Sequence, residues 1–223
     1  MRNLFEKGLA HLEELVSEMG NRVGEIIHDT ITALKNNDKD LAARIASSDD
    51  EIDDMEHEIE QLCLNLIARQ QPLARDLRVI TSSLKIITDI ERVADQCADI
   101  CEIVTRSEEY TNIKAYIPLG KLLEAANSMY FRAISAYINR NVELAKEVCD
   151  ADDEVDCMFE KVVLELSNFL ATTTNVMPAV NLMFIAKYGE RLADHATNIG
   201  EWTIYMVSAV HPDLNHHEAH VAK

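Results

Sequence analysis

The chain has few residues that make turns. Its 223 residues include 6 glycines and 4 prolines. A β protein needs a turn roughly every 8–12 residues, so this scarcity excludes one and points to long helices. Aromatics make up 5%, with Trp202 the single tryptophan, yet 48% of residues are hydrophobic, enough for a substantial core. Basic residues are also scarce: 21 Lys and Arg face 39 Asp and Glu, for a net charge of −18. Such a chain repels nucleic acid phosphate and does not dock on an anionic membrane by charge alone. It suits a cation, or a partner with a basic surface. None of the glycines forms a phosphate-binding loop, and there is no G-x-S-x-G elbow, so apparatus for nucleophilic catalysis is not visible. No apolar run reaches 18 residues, the least a membrane-spanning helix needs. Met1 to Leu12 mixes charged and apolar residues, unlike a signal peptide. The expected location is cytoplasmic, or peripheral to the membrane from that side. The cysteines Cys63, Cys97, Cys101, Cys149 and Cys157 are odd in number and sit mostly in apolar helical positions. They are expected to be packed thiols in a reducing compartment.

What the chain does contain is an internal repeat. From Asp89 it reads D-I-E-R-V-A-D-Q-C-A-D-I-C-E, and from Tyr188, ninety-nine residues later, Y-G-E-R-L-A-D-H-A-T-N-I-G-E. Glu91, Arg92, Ala94 and Asp95 thus correspond to Glu190, Arg191, Ala193 and Asp194. A second pair of segments agrees, at an offset of 103. Leu41-Ala42 precedes Asp49-Asp50-Glu51-Ile52-Asp53, and Leu144-Ala145 precedes Asp152-Asp153-Glu154-Val155-Asp156. Two ordered motif pairs indicate a duplicated unit.

Hydrophobic periodicity predicts helices from about Leu4 to Asn36, Asp38 to Arg69, and Pro72 to Ser107. The second half repeats the plan over about Lys121–Arg140, Glu143–Leu170 and Pro178–Ser208, and His211-Pro212 ends it. Ser107 to Gly120, with Pro118, reads as the link. The predicted fold is all-α, six long helices in two antiparallel three-helix bundles, residues 1–113 and 114–223.

In the helix through the first motif, Ile87, Ile90, Ala94, Cys97, Cys101 and Val104 form a core seam. Glu91, Asp95, Asp99 and Glu102 lie off it. Glu91 and Asp95 are one turn apart on one face, where like charges cost a few tenths of a kcal/mol. The compensator is either Arg92 and Arg191, expected on a flank or across helices, or a hard cation, which takes carboxylate oxygens. One such pair supplies two ligand groups. Asp49 with Asp53, and Asp152 with Asp156, repeat the spacing, so two adjacent helices would present four carboxylates. The candidate ligands are Asp49, Asp50, Asp53, Glu91, Asp95, Asp99, Asp152, Asp153, Asp156, Glu190 and Asp194. The competing view is a solvated acidic face. For Asp49, Asp50, Asp152 and Asp153 there is also a helix N-terminus complemented by acidic side chains. A di-iron bundle needs Glu-x-x-His twice. Glu25 and His28 fit once, and the counterpart from Ser128 to Phe131 lacks both ligands. His195 follows Asp194 and is either an extra ligand or a hydrogen-bonding side chain. The tail histidines His211, His216, His217 and His220 read as a solvated terminus. Arg69, Arg75 and Arg78 surround Gln70-Gln71-Pro72, as a docking spot or as intramolecular ion pairs.

These residues resemble the PhoU family of phosphate-transport and phosphate-signalling regulators. The likeness runs through L-I-A-R-Q-Q-P-L-A-R-D-L-R from Leu66, D-I-E-R-V-A-D from Asp89, Y-G-E-R-L-A-D-H-A-T-N-I-G-E-W from Tyr188, and H-P-D-L-N from His211. It implies two bundles related by a pseudo-twofold, and metal ions (iron, zinc, manganese or magnesium, in multinuclear clusters) at the E(D)-x-x-x-D motifs. It implies no enzymatic activity, a homodimer, and a link between the phosphate ABC transporter ATPase and a sensor histidine kinase that represses the starvation response when phosphate is plentiful. Asp99 becomes Asn198 and Gln96 becomes His195 between the copies, so the two sites need not be equivalent. Two other functions stay open: a metal-dependent enzyme acting on phosphate compounds, and a structural helical module with an acidic face.

Overall fold

In a computed structural model, residues 2–107 and 118–210 are described. Helices α1 (Arg2–Asn36), α2 (Lys39–Ala46), α3 (Asp49–Gln70) and α4 (Ala74–Arg106) form the first half. Helices α5 (Leu119–Asn139), α6 (Val142–Asp150), α7 (Asp152–Leu170) and α8 (Met177–Ser208) form the second. Six are long, as expected, and α2 and α6 are short helices preceding α3 and α7. The expected boundary at residues 113 and 114, and the histidines from His211 onward, lie outside the described residues.

The two short helices correct the sequence-based prediction. Asp38 to Arg69 is not one helix. The hydroxyls of Ser47 and Ser48 donate to the carbonyls of Arg44 and Ile45 at 3.0 and 2.9 Å. These bonds take up carbonyls at the end of α2, and the chain restarts at Asp49. In the second half the break is a single residue, Ala151, which ends α6 and precedes α7. Matching side chains start the short helices: Asp38 accepts from the Leu41 amide at 2.9 Å, and Asn141 from the Leu144 amide at 3.1 Å.

Each half places α1 (or α5), α3 (or α7) and α4 (or α8) around a core, with the short helix across the long last one. The halves then meet through equivalent helices, α4 against α8 and α1 against α5. Self-pairing of equivalent elements is what a twofold relation dictates. One continuous apolar core results, running from Leu12, Val16 and Met19 of α1 through Ile86, Ile87 and Ile90 of α4 to Leu182, Ile185 and Ile199 of α8. Each such buried side chain contributes about 2 kcal/mol of transfer free energy. All six predicted seam residues of α4 are buried. Two buried tyrosines pair across the halves: Tyr130 donates to the Gly20 carbonyl at 2.9 Å, and Tyr137 lies 2.9 Å from Ser83 Oγ. Of the cysteines, Cys63, Cys97 and Cys101 are buried, Cys149 is half-buried and Cys157 is exposed. Burial pushes the Cys63 and Cys97 thiols up to about 12, so they pack as neutral groups.

Close approach of α6 to α8 depends on Gly200. A side chain there would meet the Ala145 carbonyl oxygen and Cys149 Sγ, each at 3.1 Å from its first carbon. Gly200→Leu is expected to lower stability by about 1–3 kcal/mol, measured by urea denaturation. Gly120→Ala, where added atoms meet nothing within 4 Å, should leave stability unchanged or raise it.

Candidate metal centre

The acidic motifs sit where α4 faces α3 and where α8 faces α7. The packing rotates each core seam inward, and the residues four positions apart just beside it are left half-buried. Glu91 and Asp95 of α4, and Glu190 and Asp194 of α8, all fall in that intermediate zone. The neighbouring helix contributes Asp53 in one half and Asp156 in the other.

In the second half the carboxylates converge. Asp156, Glu190 and Asp194 offer ligand atoms all within 4.8 Å of one another, and each residue is partly buried. Burial first, then the charge of Glu190, then Asp152, pushes the Asp194 carboxyl up to about 6, with Lys187 pulling the other way. Lys187 pairs with Glu190 and rests 5.3 Å from the centre of the Phe159 ring. Asp152, the first residue of α7, adds to the field at this cluster. An all-oxygen set at this spacing fits a hard cation, which would supply the positive charge the carboxylates lack.

In the first half the corresponding residues are Asp53, Glu91 and Asp95, with Glu56 added. Burial, then Asp95, raises the Glu91 carboxyl to about 7, with smaller contributions from Glu56 and Asp53. Glu91 Oε2 is buried and accepts no hydrogen bond, though Arg92 Nε lies 3.3 Å from it. Arg92 was expected on a flank. It instead folds back along α4, placing Nη1 2.8 Å from Asp95 and Nε 3.3 Å from Glu91. An arginine therefore occupies part of the position a cation would take here. Its side chain is exposed, so it can swing into water.

Other candidates go elsewhere. Asp50 and Asp153 are exposed in the first turns of α3 and α7, where their charge complements the helix dipole. Asp49 opens α3. Asp99 turns to the interface between halves, where it lies in the field of Tyr188 and Arg191. Its pseudo-twofold mate reverses the polarity. Asn198 Nδ2 donates to Asp89 Oδ1 at 3.0 Å, and His195 Nδ1 lies 2.9 Å from the same oxygen. His195 is thus tied to α4 rather than turned to the carboxylates of α8. Glu25 and His28 are both exposed on α1, away from these clusters.

Sequence reasoning missed two residue pairs that make the sites differ. Glu56 and Thr88 in the first half, hydrogen-bonded at 2.9 Å, become Phe159 and Lys187 in the second. The two offsets already align these positions, and reading the replacements along the acidic stripe finds them.

The ionised Glu91 destabilises the metal-free fold. Its carboxyl is raised from 4.5 to about 7 in the folded state. The cost is absent below the unfolded value, grows as pH rises from there, and is complete above about 7. In chelator-treated protein, Glu91→Gln is expected to raise stability by about 1–2 kcal/mol at pH 8 and to change it little at pH 4.5, by chemical denaturation.

The chain matches the family model for the PhoU domain twice, over residues 16–104 and 119–203. The phosphate-specific transport system accessory protein PhoU homolog of Clostridium acetobutylicum is 36% identical over 216 residues, covering 96% of this chain and 99% of that protein. The homolog of the same name from Rhizobium meliloti is 32% identical over 210 residues, 93% of this chain and 89% of that protein. The crystal structure of PhoU from Pseudomonas aeruginosa superposes with a TM-score of 0.84 at 27% identity, covering 92% of this chain and 100% of that one. The phosphate transport system regulatory protein PhoU from Streptococcus pneumoniae has the same fold, with a TM-score of 0.88 at 24% identity over 94% of this chain and 99% of that one.

Proposed function

The chain belongs to the PhoU family, and from that premise we propose that it is a metal-binding regulator of phosphate uptake, acting as an adaptor and not as an enzyme. The observation that carries the metal part is the convergence of Asp156, Glu190 and Asp194 within 4.8 Å, partly buried and with Asp194 raised by burial and then by its like-charged neighbours. Three carboxylates held this way repel one another, and a hard cation of the magnesium, manganese or iron class relieves the repulsion. Asp53, Glu91 and Asp95 form the weaker site in this reading, because among the described residues only Asp156, Glu190 and Asp194 bring three ligand atoms within 4.8 Å. The names of the relatives support the accessory role in phosphate transport. The partners in this reading are the transporter ATPase and a sensor histidine kinase, and the protein represses the starvation response when phosphate is abundant. A homodimer and a cytoplasmic site of action belong to the same reading. Among the described residues no helix is long and apolar enough to cross a membrane.

A phosphate-hydrolysing enzyme finds little support. Metal-assisted hydrolysis needs a shaped, water-excluding cavity beside the metal. A cavity near Ser17 with Tyr137 and another near Gly24 with Phe131 are lined by none of the clustered carboxylates.

Elemental analysis of protein purified without chelator tests the metal. Wild type is expected to carry metal, and Asp156→Ala/Glu190→Ala/Asp194→Ala to lose most of it while remaining helical by circular dichroism. Equal substoichiometric metal in both would refute the site. Deleting the gene should switch on a phosphate-starvation reporter in phosphate-rich medium, and an unchanged reporter would refute the regulatory role.

A further inference from the structure

Arg69, Arg75 and Arg78 surround the turn from α3 into α4. If they served the fold, they would pair with carboxylates, which are abundant in this chain. Among the described residues they make no ion pair. Arg22, Arg92, Arg106, Arg132 and Arg140 each pair with an acidic side chain. Arg78 reaches only the Ala74 carbonyl of its own helix, at 3.5 Å, and its Nε is buried without a partner. Arg69 and Arg75 are exposed.

The same corner exposes apolar surface. Leu73 is 80% exposed and Leu64 55%, and Leu77, one turn after Leu73, is also exposed. Leu73 sits at the N-cap of α4, where its side chain makes no capping bond. That position favours Ser, Thr, Asp or Asn, so a bare leucine there costs helix stability and hides no apolar area. Gln71 has a positive φ of 46°, a left-handed turn that fixes the corner's shape.

The duplicated half supplies an internal control. At the equivalent corner, Thr172, Thr174 and Met177 stand where the first half has Leu73, Arg75 and Arg78. The second half joins its two helices over six residues, 171–176, none of them cationic, where the first half uses three, 71–73.

We propose that this corner, built from Leu64, Arg69, Leu73, Arg75, Leu77 and Arg78, is the docking surface for an acidic amphipathic segment of a protein partner. Exposed leucines give it an apolar centre, and unpaired guanidiniums give it a fork-shaped complement for carboxylates. The N-terminus of the 33-residue α4 adds positive charge at the same place. An anionic membrane is the poorer occupant. Three arginines gain roughly 1 kcal/mol each near anionic lipid, against the repulsion of a body carrying a net charge of −18. The inference rests on the adaptor reading for the existence of a protein partner, and it says where that partner binds.

The test uses Leu73→Ser and Arg69→Glu/Arg75→Glu in the full chain. Leu73→Ser removes the apolar anchor while installing a favoured cap, so its melting temperature should be unchanged or higher. The probe is a fluorescent helical peptide that places Glu beside Leu along one face. Wild type is expected to bind it, with affinity falling at high salt. Both variants should bind about tenfold more weakly or worse, and a peptide with Lys in place of Glu should not bind. Equal affinity for wild type and variants overturns the proposal. So does wild-type binding to phosphatidylglycerol vesicles that the same substitutions abolish, or a change of oligomeric state in the variants. In cells, both variants should derepress a phosphate-starvation reporter while retaining their metal. If deletion derepresses the reporter and the variants do not, the docking surface is refuted and the regulatory role stands. If deletion itself has no effect, the regulatory role is what fails.

Discussion

The placement of both acidic clusters depends on α4 and α8 lying antiparallel against each other. They are its second- and third-longest helices, 33 and 32 residues, or about 50 Å each. Their shared seam is buried and apolar, and at its margins polar groups pair in a pseudo-symmetric exchange. Asp99 meets Tyr188, while Asp89, the equivalent of Tyr188, meets Asn198 and His195. The contact fixes the rotation of both helices about their axes. That rotation in turn decides which side chains beside the seam are half-buried under α3 and α7.

Those side chains are carboxylates. The fold pushes Glu91 and Asp194 into partial burial beside like charges, so their protonated forms are favoured far above the ordinary carboxylate range. The two halves offset the cost with different cations. The first folds Arg92 back along its own helix. The second uses Lys187, which is braced by Phe159 and pairs with Glu190 alone. Among the described residues it is the second cluster whose three carboxylates bring ligand atoms within 4.8 Å of one another. A duplicated scaffold has thus become chemically asymmetric through two replacements, Glu56 to Phe159 and Thr88 to Lys187.

Much of this was legible in the sequence. The seam from Ile87 to Val104 showed which face of α4 goes inward, because the alternation of three and four is a property of the helix alone. The doubled acidic motifs were visible as text. The breaks at Ser47-Ser48 and Ala151 were not. A serine hydroxyl capturing a carbonyl is a local choice, and periodicity averages over it. Nor was the destination of Arg92 legible, since helix geometry gives the direction of the first side-chain bond and not the fold-back of a long flexible chain. Asp99 was grouped with the stripe by spacing, yet Tyr188, in whose field it lies, is 89 positions away.

Composition and pattern alone determined an all-helical duplicated chain, its six long helices, its core seams and its list of acidic candidates. Each of these follows from short-range geometry: few turn-formers, a 3.6-residue period, and repetition. Tertiary structure decided which carboxylates converge, which face solvent, which cation answers each, and that the arginines at the corner between α3 and α4 make no ion pair among the described residues. Those outcomes depend on distances between residues far apart in the chain, and only the packing of one half on the other sets them.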